Sequence, residues 1–224
     1  MAILDINWKD FLCAESDLPP DVSFLVKSVD SSESEGSEKL FAAHRLLLAG
    51  CSPVFRSMFF GPLKETREVI EVEDTTPEAF RTMISFIYRP PEYKFTLQGI
   101  QCPQKLFELL HLSDKYQILK LKTMTSDALA SFEITNEVMI FAATVAIKYR
   151  PLFEEESKKM LLRCLKFIYN STSSGGGDTF ALIYETKRNF PEADFNVLHQ
   201  LIDVGNEALQ LQGIFSLCEC ILPN

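Results

Sequence analysis

Four short stretches between residues 21 and 122 decide how this chain folds, and they occur in one order. They are residues 21–22 (DV), 41–49 (FAAHRLLLA), 52–59 (SPVFRSMF) and 114–116 (DKY). The second follows a strand-like run, and the third begins with a serine ahead of a proline, the pairing that caps a helix and fills its first position. A small sheet followed by helices is therefore predicted around these stretches.

Three segments carry strand patterns. Residues 22–26 (VSFLV) and 39–43 (KLFAA) flank an acidic, serine-rich run at 28–38 that is predicted as an exposed hairpin loop. Residues 68–73 (EVIEVE) alternate charged and apolar side chains, which indicates a half-buried strand. A strand is thus expected between two helices.

Helical signals dominate the rest of the chain. Thr76-Pro77 repeats the cap and proline pairing, and Phe80, Met83, Ile84 and Ile87 then recur at helical spacing. Pro103 is predicted to open a helix, and another is predicted from about Ser113 to Leu121. Further helices are predicted at 136–148, 153–169, 178–188 and 195–204, with a flexible joint at the glycines 175–177.

Composition excludes several classes of function. The net charge is −9 and no basic stripe occurs, so a nucleic-acid ligand is not expected. The first residues lack the basic segment of a secretory signal, and no apolar run approaches the length of about 20 residues that spans a bilayer. We expect a cytoplasmic or nuclear protein with no membrane contact. The six cysteines have no metal-binding spacing, so reduced thiols and no metal site are predicted.

The order of the four stretches resembles a BTB/POZ domain, over residues 21 to about 130. The resemblance implies an α+β class and a BTB/POZ fold, a small sheet flanked by a helical cluster. Residues 134–138 (ITNEV) resemble the start of the BACK region that follows many BTB domains. We therefore expect an amphipathic dimerisation arm at 1–20, a BTB/POZ domain at 21–131 and an all-α BACK-like region at 132–224.

BTB domains commonly form homodimers, and the resemblance implies one here. Trp8, Phe11 and Leu12 lie in the arm and are the expected apolar anchors of the interface, unless the arm folds onto its own domain. Asp21 and Arg45 occupy the positions of a charged pair that the family keeps near its dimer face, although they also suit ordinary strand-end and helix-start charges. His44 is implied to have a structural hydrogen bond where the strand turns into the helix.

Leu63-Lys64-Glu65 resembles the hydrophobic-x-Glu motif that cullin-binding BTB domains present. An apolar side chain can enter a groove on the partner, and a carboxylate two residues later can accept a charge-assisted hydrogen bond. An exposed loop without a partner is the alternative. The resemblance also implies that nearby residues line or brace this surface, with core packing as the alternative for each: Phe55, Met58, Phe59 and Tyr116. Ile134, Met139 and Phe141 are possible further contacts.

The resemblance therefore implies a protein–protein adaptor, a homodimeric BTB protein that brings an unidentified substrate protein to a cullin-3 RING ubiquitin ligase. The alternative is a self-associating scaffold or transcriptional co-regulator that binds peptides without a cullin. No nucleophile–base pair, phosphate-binding loop or metal constellation occurs, so neither an enzyme nor a cofactor is predicted.

Overall fold

A three-stranded sheet begins the fold. The computed structural model describes residues 19–27, 38–89, 95–97, 99–171, 196–197 and 199–204. The strands are β1 (Val22–Val26), β2 (Lys39–Ala43) and β3 (Val69–Val72), in the order β2-β1-β3. β1 pairs antiparallel with β2 and parallel with β3. All three predicted strands are confirmed.

One face of β1 forms the centre of the core. Val22, Phe24 and Val26 alternate along the strand and are buried, as expected when one side of a sheet faces an apolar interior. The Phe24 ring lies 5.8 Å from that of Phe55 and 5.2 Å from that of Phe80, measured between centroids. These aromatic contacts join the sheet to the helices that follow it.

Three helices pack around this sheet: α1 (Arg45–Cys51), α2 (Pro53–Phe60) and α3 (Pro77–Ile87). The Ser52 hydroxyl accepts a hydrogen bond from the backbone N–H of Phe55, and the Thr76 hydroxyl accepts one from that of Ala79. Each cap satisfies one of the N–H groups that a helix leaves unpaired at its start. Both predicted helix starts are confirmed.

The next two helices divide at a different place from the prediction. α4 spans Pro103–Lys115 and α5 spans Leu119–Ala130, so the predicted helix start near Ser113 is wrong. The break falls at Gln117, whose φ of 51° is left-handed and stops α-helical hydrogen bonding. The apolar spacing runs through both helices and does not mark such a break.

Two later helices form a pair, α6 (Met139–Tyr149) and α7 (Glu154–Ser171). They begin within a few residues of the predicted starts at 136 and 153. Small buried side chains on α6, Ala142, Ala143 and Ala146, allow the backbones to approach closely. Residues 196–197 and 199–204 are helical, as predicted for that segment, whereas the helix predicted at 178–188 lies outside the described residues.

Arg163 on α7 forms hydrogen bonds with the backbone at the end of α5. Its guanidinium donates hydrogen bonds to the carbonyl oxygens of Leu129 and Phe132. The Leu129 carbonyl is among the last of α5, which lack partners within the helix, and the Phe132 carbonyl lies two residues beyond the end of that helix. Burial lowers the pKa of Arg163. The contact therefore satisfies the C-terminal end of α5 from a neighbouring helix.

The chain divides into two compact units, residues 1–100 with 108–125, and residues 101–107 with 126–224. The predicted domain boundaries at 20 and 131 stay predictions. No helix among the described residues has the length and apolar character needed to cross a membrane. Within the same residues, no group of three or more metal-binding side chains comes together.

Candidate docking site

The loop between α2 and β3, residues 61–68, presents the predicted docking motif. It begins at Gly61, where an added Cβ would lie 2.3 Å from the carbonyl oxygen of Ser57, so a larger residue would displace the backbone. Two residues later, the Leu63 side chain is 96% exposed. An isolated exposed leucine is common on proteins, but here it lies at the tip of a loop whose backbone is held in place.

Arg45 holds that backbone. Its guanidinium donates from Nη1 to the carbonyl oxygen of Glu65 at 3.2 Å and from Nη2 to that of Arg67 at 2.9 Å. The backbone N–H of Glu65 donates to the carbonyl oxygen of Met58 at 2.7 Å. The Arg45 guanidinium also lies 5.3 Å from the centre of the Phe59 ring, within cation–π range. The loop is thus fixed from both α1 and α2.

Arg67 binds the carboxylate of the motif. Glu65 accepts hydrogen bonds from the backbone N–H of Arg67 at 2.9 Å, from its Nε at 3.1 Å and from its Nη2 at 2.7 Å. These bonds lower the pKa of Glu65 to about 2. The carboxylate is therefore ionised and oriented before any partner arrives.

Asp21 and Arg45 meet through a backbone group. The Asp21 carboxylate accepts a hydrogen bond from the backbone N–H of Arg45 at 2.8 Å, which satisfies an unpaired donor at the start of α1 and suits the positive end of the helix dipole. The Arg45 guanidinium is directed to the loop carbonyls described above. Asp21 therefore caps the start of α1, and the dimer-face role expected for Asp21 and Arg45 from the resemblance stays a prediction.

His44 and Tyr88 connect the start of α1 to the end of α3. The Tyr88 hydroxyl accepts from the backbone N–H of His44 at 2.6 Å and lies 3.0 Å from its Nδ1. Burial raises the pKa of Tyr88 to about 12. This is the structural hydrogen bond that the resemblance implies for His44.

The three aromatic residues predicted at the docking surface are buried in the core. Phe55, Phe59 and Tyr116 are buried within the chain, and the Phe55 ring stacks on Tyr116 with centroids 4.3 Å apart. Burial raises the pKa of the Tyr116 hydroxyl. Met58 is half-buried. The three buried rings brace the helix from which the loop departs, and Met58 alone of the four retains side-chain surface for a partner.

The remaining predicted contacts are placed only in part. Trp8, Phe11 and Leu12 lie outside the described residues, so the dimer contact stays a prediction. Met139 is buried, Ile134 is half-buried and Phe141 is exposed. The burial of these three residues does not test whether they contact a cullin, so that contact stays a prediction.

Sequence reasoning missed Arg67. A signal existed, because an arginine two residues after a glutamate can fold back on it, but that spacing carries little information without a fixed backbone. The role of Arg45 in holding the loop was missed as well. It joins residues 20 positions apart in sequence, and only the tertiary fold brings them together.

A second surface feature lies in the same compact unit. An open groove of about 630 Å³ is lined mainly by apolar side chains, among them Phe86, Ile87, Ile118 and Leu119, together with the cations Arg89 and Lys120. Leu119 is 74% exposed. Such a groove can accept an apolar segment of a partner.

Comparison with known proteins agrees with this architecture. The family model described as "BTB/POZ domain" matches residues 14–133. "TD and POZ domain-containing protein 1" of Mus musculus is 34% identical over 90 residues, which cover 40% of this chain and 23% of that protein. "BTB/POZ and MATH domain-containing protein 3" of Arabidopsis thaliana is 28% identical over 173 residues, 75% of this chain and 38% of that protein.

This chain thus spans well under half the length of these two curated relatives. Among solved structures, the "BTB domain of zebrafish PATZ1" matches with a TM-score of 0.36 and 21% identity, covering 49% of this chain and 75% of that one. At that TM-score the likeness adds nothing to the assignment. The family match covers more than half of the 224 residues, and the chain belongs to the BTB/POZ family, whose domain is a protein-interaction module.

Proposed function

We propose that this protein is an adaptor for a cullin-3 RING ubiquitin ligase and that it docks on the cullin through the loop of Leu63 and Glu65. The observation that carries the proposal is the 96% exposure of Leu63 on a loop that Arg45 holds by its backbone. A partner that covered this side chain would gain about 1.5–3 kcal/mol of hydrophobic free energy. Because the loop is already ordered, little of that gain would be lost in fixing it.

The remainder of the proposal concerns the other partners. We infer a homodimer, because BTB domains commonly self-associate, with Trp8, Phe11 and Leu12 of the arm at the interface. A further surface would recruit a substrate protein for ubiquitylation. Two short stretches of the C-terminal region, Phe190-Pro191 and the apolar Ile214-Phe215, are candidates from the sequence for that surface.

The test is a titration of the purified protein against the N-terminal part of cullin-3, with the heat of binding measured by calorimetry. The wild type is expected to bind with micromolar or tighter affinity, and the double variant Leu63→Ala, Glu65→Ala is expected to lose binding. Leu152→Ala removes another exposed leucine, in the other compact unit, and is the matched control. A wild type that is folded and does not bind would contradict the proposal.

A second candidate is the scaffold or co-regulator that binds peptides without a cullin, and the apolar groove beside Leu119 favours it. The two functions require different leucines. Leu63→Ala should weaken cullin binding by about 10- to 100-fold and leave peptide binding unchanged, whereas Leu119→Ala should weaken a peptide bound in the groove. Loss of peptide binding in Leu119→Ala, with no cullin binding by the wild type, would select the scaffold.

A further inference from the structure

The ion pair in the docking loop has an inner and an outer member. The Glu65 side chain is 23% exposed, whereas that of Arg67 is 69% exposed. A partner approaching Leu63 therefore meets the guanidinium more readily than the carboxylate. This order is the reverse of the one expected when the glutamate of the motif is itself the contact.

The hydrogen-bonding capacity of the two groups also favours Arg67 over Glu65 as the residue that contacts a partner. A carboxylate offers about four acceptor sites, and Arg67 already occupies three of those of Glu65. A guanidinium has five N–H donors, and the carboxylate takes one from Nε and one from Nη2. Arg67 thus retains more capacity for a partner than Glu65 does.

The loop 61–68 carries two cations, Lys64 and Arg67, and two acids, Glu65 and Glu68, of which Glu65 is already bonded to Arg67. Lys64 lies between Leu63 and Glu65 and is exposed. Glu71, a nearby acid on β3, forms an ion pair with Lys27 at 3.1 Å. Glu68, next to Arg67, is exposed and is the second acid of the loop, so it offsets part of the positive charge of Lys64 and Arg67. In a chain with a net charge of −9, the docking loop exposes two cations beside its apolar tip.

We propose that this loop docks into an apolar pocket bordered by carboxylates on the partner, with Leu63 entering the pocket and Lys64 and Arg67 facing the acidic border. Glu65 is a positioning residue, which holds the Arg67 guanidinium beside Leu63 instead of contacting the partner itself. The inference rests on the proposed docking function and names the chemistry of its partner. Complementary charge of this kind sets orientation and association rate.

The test uses charge variants in the same titration against the N-terminal part of cullin-3, at low and at physiological salt. Arg67→Glu and Lys64→Glu should each weaken binding by about tenfold, with a smaller loss at higher salt, since exposed charges are screened. Arg81→Glu makes the same change in net charge at an exposed site on α3 and should stay within about twofold of the wild type. An unfolding curve of each variant is the control that checks whether it is folded.

Two neutral variants separate the roles of the ion pair. If Glu65 positions Arg67, Glu65→Gln and Arg67→Gln should both weaken binding. If Glu65 is the contact, Arg67→Gln frees its carboxylate, so binding should stay the same or tighten while Glu65→Gln abolishes it. Tighter or unchanged binding by Arg67→Gln together with lost binding by Glu65→Gln would overturn this inference and leave the docking function standing. Wild-type affinity in Arg67→Glu would do the same. Absence of binding by the wild type would overturn the docking function, and the inference with it.

Discussion

At the scale of the residue, Glu65 shows how one neighbour sets the charge of a side chain. Hydrogen bonds from Arg67 lower its pKa to about 2, because each stabilises the ionised form. A carboxyl whose pKa is depressed in the folded state adds stability above its ordinary pKa and loses it as the pH falls through the depressed value. Between about pH 4 and pH 2, Glu65 therefore stays ionised while ordinary glutamates become protonated.

This charge state gives a first prediction. Arg67→Gln should raise the pKa of Glu65 from about 2 toward the ordinary glutamate value of about 4.3, because the guanidinium bonds are lost. A titration of the side-chain carboxyl carbons by nuclear magnetic resonance measures it. Lys64→Gln removes an adjacent cation that is not bonded to Glu65 and should leave the pKa low. An equal rise in both variants would contradict the ion pair.

A second prediction concerns the buried aromatic residues of the core. Phe55→Ala should lower the free energy of unfolding by about 3–5 kcal/mol, because it leaves a cavity against Phe24 and Tyr116. Phe60→Ala, on the same helix but 58% exposed, should cost less than about 1 kcal/mol. Urea unfolding of both variants makes the comparison. Equal costs would mean that Phe55 is not part of the core.

At the scale of the element, Ser52 connects three helices. Its hydroxyl accepts from the backbone N–H of Phe55 at the start of α2, and it donates to the carbonyl oxygen of Tyr116 beyond the end of α4. The same residue follows α1 directly. A single buried hydroxyl thus satisfies one helix start and one backbone carbonyl that is distant in sequence.

A third prediction follows from this double role. Ser52→Ala should destabilise the protein by about 2–4 kcal/mol, the loss of a cap together with an unsatisfied buried carbonyl. Ser57→Ala, at an exposed position of α2, is the control and should have little effect. Thermal unfolding measures the difference. A cost for Ser52→Ala no greater than for the control would show that the Tyr116 carbonyl finds another partner.

The elements also show what sequence can and cannot predict. The strands and the capped starts of α2 and α3 were predictable, since their signals lie within a few adjacent residues. The end of α4 was not, because the left-handed Gln117 carries no such signal. Leu63 and Glu65 could be identified by resemblance. The hydrogen bonds of Glu65 with Arg67, and of Arg45 with the loop carbonyls, could not, because they depend on the backbone conformation of the folded loop.

At the scale of the whole molecule, the proposed dimer contact of the arm and the proposed docking loop are formed by different segments of the chain. The proposed dimer contact lies in the arm, and the docking loop is held by Arg45 and Met58 of its own chain. A homodimer would carry two such loops. Two sites raise the apparent affinity only for a partner that can engage both together.

The fourth prediction tests this separation. The double variant Trp8→Ala, Phe11→Ala should have the mass of one chain by light scattering, whereas the wild type should have twice that mass. Its affinity per site for a monomeric cullin-3 fragment should equal that of the wild type. Leu152→Ala should stay dimeric. A monomeric variant that also loses affinity would place the arm within the docking surface.

The way in which Arg45 holds the docking loop has a consequence for protein engineering. Its guanidinium binds the carbonyl oxygens of Glu65 and Arg67, groups that every amino acid carries. The position of the loop backbone is therefore largely independent of the side chains at 63, 64 and 66. These positions form a site where new recognition sequences can be installed on an unchanged scaffold, provided that Arg45 and Gly61 are retained.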